Sequence, residues 1–138
     1  MDAARCSEAR AQYAEATARL ESNTNILSGA VAAQALALAS RAALSLSQSD
    51  VEAIGARLQQ ARDAMLVTRG GDDVGALAEN VARLEGQLAK AKEEAEARRQ
   101  LEAQLADLDA KIRDANYQIE VQTSRASAAK TEMDLYCQ

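Results

Sequence analysis

Apolar residues recur along this chain at alternating steps of three and four, and they do so in both directions from one glycine-rich point. Backward from Gly70-Gly71-Asp72-Asp73, the positions Met65, Ala61, Leu58, Ile54 and Val51 are spaced 4, 3, 4 and 3. Forward from it, Leu77, Val81, Leu84, Leu88 and Ala91 repeat those spacings. Each matched pair of positions sums to 142, so the halves read as reflections of one another. Steps of three and four share one helix face, and a seam kept up over many heptads is that of a coiled coil. The predicted fold class is therefore all-α: a long antiparallel helical hairpin (coiled coil) with its tip at residues 70–73. One arm covers about residues 2–69 and the other about 73–136, in a single helical domain of 1–138.

The second arm carries one unbroken seven-residue row: Leu77, Leu84, Ala91, Arg98, Leu105, Ile112, Ile119, Ala126 and Met133. Its companion row changes side, from Val74, Val81, Leu88 and Ala95 to Leu101, Leu108, Ala115, Gln122, Ala129 and Tyr136. The steps 95–98–101 are then 3 and 3, a stammer that changes supercoil winding locally. The first arm runs Cys6, Ala9, Tyr13, Ala16, Leu20, Asn23, Leu27, Ala30, Gln34, Ala37, Arg41, Leu44, Ser47 and Val51. Its slip falls at 41–44–47, the reflected place, since 44 pairs with 98 and 47 with 95. A slip shared by both arms argues for one antiparallel register.

The tip chemistry agrees. Gly70, followed by Gly71, can adopt the left-handed conformation that ends a helix. Asp72 or Asp73 can cap the next helix at its positive end. Two breaks are candidates in the first arm: Ser47–Ser49, where Ser49-Asp50-Val51-Glu52 matches a capping box, and Ser22-Asn23-Thr24-Asn25. If both are turns, the architecture becomes an elongated bundle of three short helices packed on one long helix.

Composition supports helices and argues against chemistry. Pro, His, Trp and Phe are absent and only three Tyr occur in 138 residues. Without proline, very long helices are permitted. Without histidine there is no ordinary base near neutrality and no Ser-His triad or zinc-protease motif. GGDDVG lacks the Lys-Ser/Thr of a phosphate loop. Glu93, Glu94 and Glu96 lie among Lys90, Lys92, Arg98 and Arg99, as on a solvated charged helix face. The expectation is no enzyme, no cofactor and no metal. Net charge is −5, with seven basic and seven acidic groups in residues 1–69 but nine and fourteen in residues 70–138. An acidic chain without stacking rings is a poor nucleic-acid binder.

The two cysteines sit at opposite ends of the chain. In the reflected register Cys6 faces Tyr136 and so neighbours Cys137, which predicts a disulfide stapling the open end of the hairpin. A bridge implies an extracytoplasmic compartment (periplasm, cell surface or outside); two reduced thiols would suit the cytoplasm.

Segment 26–46 has Arg41 as its single charge. One stripe of it should face the second arm, while Val31, Leu36, Leu38 and Leu46 point elsewhere. One partner helix does not cover all of them, so they form the expected interaction surface. Gln34, Arg41 and the alanines make a membrane span a weak explanation. The functional expectation is a non-enzymatic structural or interaction module, an elongated spacer or scaffold that associates by helical packing with a partner protein or with itself as a homodimer. The alternatives are a surface or periplasmic receptor or adaptor hairpin and, less favoured, a membrane-inserting helical protein.

Overall fold

The computed structural model describes residues 2–68 and 73–138. Among them are three helices and no strand: α1 (Ala3–Ala42), α2 (Gln48–Val67) and α3 (Val74–Tyr136). The chain is all-α, as the periodicity predicts. The second arm is one continuous helix of 63 residues. The first arm is not continuous. It breaks between Ala42 and Gln48, so the observed arrangement lies between the two expected: two helices, not one or three, precede α3.

The break has local causes. Leu44 N–H donates to the Arg41 carbonyl at 3.1 Å, a contact three residues back that tightens the last turn of α1. Ser47 then adopts an extended conformation (φ −128°, ψ 178°) as the N-cap of α2. The Asp50 carboxylate accepts from the Ser47 N–H at 2.8 Å and from its hydroxyl at 3.0 Å. The cap is thus built on Ser47-Gln48-Ser49-Asp50, two residues earlier than the box predicted at Ser49, because Asp50 reaches back to Ser47. The candidate break at Ser22–Asn25 does not occur. Asn23 Nδ2 donates to the Arg19 carbonyl and Thr24 Oγ1 to the Leu20 carbonyl, both at 2.8 Å. These polar side chains bond one turn back and stay inside the helix.

The described residues fall into two compact units, residues 1–36 with 105–138 and residues 37–104. In the first unit, α1 lies antiparallel to the C-terminal part of α3. Its buried residues are Cys6, Ala9, Ala16, Ala30, Leu105, Ala115, Gln122 and Ala129, all predicted seam positions. Gln34 Nε2 donates to Asp109 Oδ1 at 2.6 Å across that seam. In the second unit, Ile54, Leu58 and Ala61 of α2 form a cluster with Leu84 and Ala91 of α3. Positions 58 and 84 sum to 142, the predicted register. Val74, at the start of the predicted row, is exposed.

Arg98, the one charged residue in the long row of α3, has a defined role here. Its Nη2 donates to the Leu44 carbonyl at 3.1 Å, in the stretch where the backbone leaves α1. A guanidinium is a fitting donor for carbonyls freed at a helix C-terminus. The shared phase slip is therefore expressed as a helix break in the first arm, while α3 continues past it.

Candidate functional site

The stapled end comes first. Cys6 and Cys137 stand at disulfide distance, with sulfurs 2.03 Å apart and Cα atoms 5.0 Å apart. Beside them Arg5 Nη1 donates to the Tyr136 hydroxyl at 3.2 Å, and the guanidinium lies 5.2 Å from the ring centroid. That geometry is a cation–π contact joining the two chain ends. Tyr136 and Cys137 meet residues 5 and 6, as the reflected register requires.

The predicted interaction residues divide. Val31 (47% exposed), Leu36 (71%) and Leu38 (41%) stand out from α1. Leu46 does not belong with them. It is half-buried and packs on the Ile54–Leu58–Leu84 cluster. The reason is the helix break: Leu46 lies beyond the end of α1, so the helical phase that pointed it outward no longer applies. Ile26, which the stripe analysis did not single out, is also exposed. With Gly29, Ala33 and Leu108 it lines an apolar groove of about 380 Å³ within the first unit. Val31 is five residues further on, about 140° round the helix. Apolar groups thus flank the α1 seam on both sides, which one neighbouring helix does not cover.

At the tip, Gly70, Gly71 and Asp72 lie outside the described residues. Asp73 is described, and its carbonyl accepts from Leu77 N–H at 2.9 Å, the first bond of α3. Leu66 (68% exposed) and Val67 (85%) end α2 with their side chains in solvent. The signal for them was an apolar pair beyond Met65, the last seam position before the glycines.

A second cleft lies within the first unit, between α1 and α3. It holds about 370 Å³ and is lined by Glu15, Arg19, Gln122, Arg125 and Glu132 over a floor of alanines. Elsewhere on α3, Glu96 is ion-paired with Arg99 on the charged face the sequence suggests. No group of three or more His, Cys, Asp or Glu side chains able to hold a metal occurs among the described residues. No described helix is long and apolar enough to cross a membrane.

Comparison with protein-family models, with curated proteins and with solved structures finds no match to this chain.

Proposed function

We propose that this chain is a non-enzymatic interaction module, an extracytoplasmic spacer that associates by coiled-coil-type packing on α1, most simply as a homodimer. The observation that carries this reading is the exposure of Val31 on a nearly uncharged stretch of α1, with the Ile26 groove on its other flank. Burying one such side chain contributes on the order of 1.5–3 kcal/mol. A twofold pairing supports the homodimer because it closes on itself and leaves no adhesive surface. The Cys6–Cys137 pair supports an oxidising compartment. Sedimentation tests the proposal. The wild type should run as a dimer at micromolar concentration and Val31→Glu as a helical monomer. A monomeric wild type would remove self-association.

A second reading is favoured by Leu66 and Val67: an adaptor that docks through its tip. Replacing both by Asp should leave sedimentation unchanged if α1 is the interface. A shift to monomer on tip substitution alone would move the interface there.

A further inference from the structure

One exposed row on α1 is symmetric about its own midpoint. Ile26, Gly29, Ala33 and Leu36 follow steps of 3, 4 and 3, the spacing of one helix face. All four are exposed, and none is charged. Ile26, Gly29 and Ala33 line the apolar groove, and a Cβ built on Gly29 would meet nothing within 4 Å, so the face is open. By size the row reads large, small, small, large. Ile26 and Leu36 stand five residues either side of position 31, and Gly29 and Ala33 stand two residues either side. Reversed end to end, the row is unchanged by size. An antiparallel copy of it would set Ile26 against Leu36 and Gly29 against Ala33, and the small pair at the centre would let the two helices approach closely. The Val31 flank has no such symmetry: Ser28, Val31, Ala35 and Leu38 would pair serine with leucine.

The charges of α3 beside this face agree. In the register of the first unit, position 31 lies level with position 111, since facing positions sum to 142. Lys111 lines the groove. Asp107 and Asp114, four residues before it and three after, share its helix face and are exposed. None of the three has an ion-pair partner among the described residues. A twofold axis at this level lays the two α1–α3 pairs side by side as four helices, with each α3 antiparallel to the other. Lys111 of one copy then falls between Asp107 and Asp114 of the other, an arrangement of opposite charges that fixes the register.

We propose that the Ile26–Leu36 face binds a second copy of this chain in antiparallel orientation, centred at the level of position 31. The face lies on the flank of α1 opposite Val31, so this contact goes beyond the association proposed above and joins the pairs formed there. It is the weaker of the two, because Gly29 and Ala33 bury little apolar surface.

Sedimentation equilibrium of the intact, oxidised chain carrying Val31→Glu separates the two contacts. That chain should be a monomer at micromolar concentration and pass to a dimer toward millimolar. Adding Leu36→Glu, or Ile26→Lys, should weaken this dimer at least tenfold with helicity kept, since both positions are exposed. Ile26→Lys and Leu36→Glu together should restore it, because in the antiparallel pair each introduced lysine meets an introduced glutamate. Lys111→Glu sets acids against acids and should also weaken it at least tenfold; this variant serves if a change on α1 disturbs folding. A monomer throughout overturns the proposal, and so does a dimer indifferent to Leu36→Glu and Lys111→Glu. Failure of the double change to restore association overturns the antiparallel pairing. If Val31→Glu sediments as the wild type does at micromolar concentration, the Val31 contact fails instead, and the Leu36 and Lys111 variants still decide this one.

Discussion

The two units solve the same packing problem with different material. In the first, the fully buried residues are mostly alanine (Ala9, Ala16, Ala30, Ala115 and Ala129) beside Leu105, with Leu20, Leu27, Leu108, Ile112 and Ile119 half-buried around them. In the second, Ile54, Leu58 and Leu84 share the centre with Ala61 and Ala91, and Leu46, Val51, Val81 and Leu88 pack around them. Each buried methylene contributes about 0.8 kcal/mol, so a fully buried leucine gains more from burial than the fully buried alanine that takes its place in the first unit. Other bonds hold the alanine unit together: the Cys6–Cys137 pair, the Arg5–Tyr136 contact and the Gln34–Asp109 hydrogen bond. The leucine unit has no disulfide, yet it accommodates a break in its backbone. Seam composition therefore accounts for where a covalent staple is useful and where an interrupted helix is tolerated.

The largest test of that contrast is removal of the staple. The bridge spans a sequence separation of 131 residues. Closing a loop of that size is worth up to about 5 kcal/mol in the chain-entropy account. Cys137→Ser should lower the melting temperature and speed amide exchange first in residues 3–36 and 105–136. Equal acceleration in residues 48–67 would show that the alanine unit does not depend on the bridge in particular.

Next comes Leu58→Ala, which empties the centre of the other cluster and should cost about 3 kcal/mol. Its exchange signature should be the converse, with α2 opening first. An Ala16→Gly change in the alanine seam should cost about 1 kcal/mol, chiefly through helix propensity. If the alanine change proved the costlier of the two, the contrast between seams would be wrong.

Arg98→Met keeps the length and apolar stem but removes the donor to the Leu44 carbonyl. A loss of about 1–2 kcal/mol is expected, with faster exchange at residues 43–51. The smallest effect belongs to the cap. Ser47→Ala should cost about 1 kcal/mol or less, because the Asp50 carboxylate still accepts from the backbone N–H of residue 47. Asp50→Ala should cost more than Ser47→Ala, and circular dichroism melts of the pair would settle the order.

Legibility in the sequence was uneven, and particular residues show why. From Cys6 to Val51, every predicted seam position of the first arm is buried or half-buried. The same holds in α3 from Leu77 to Tyr136. The Cys6–Cys137 juxtaposition followed from spacings that never used the cysteines. Leu46 was misread, and the Ser22–Asn25 segment was left undecided. The first was read as helical where the helix had already ended. The second was kept open as a candidate break, where Asn23 and Thr24 in fact bond back into the helix. Ser, Asn and Thr serve equally as caps and as back-bonding helix residues, and composition does not separate those uses.

By itself the sequence determined the helical class, the face each arm buries and the antiparallel register in each unit. These follow from period, and period is a property of neighbouring residues along one chain. Only the tertiary structure decided that the phase slip becomes a break in the first arm while α3 stays intact. It also decided that Ser47 rather than Ser49 caps α2, that Arg98 serves the Leu44 carbonyl, and that Gln122 is left with an unpaired oxygen. Each of these depends on what stands across the seam at hydrogen-bonding distance. Spacing along one chain specifies which face a residue takes, but not the donor or acceptor that meets it there.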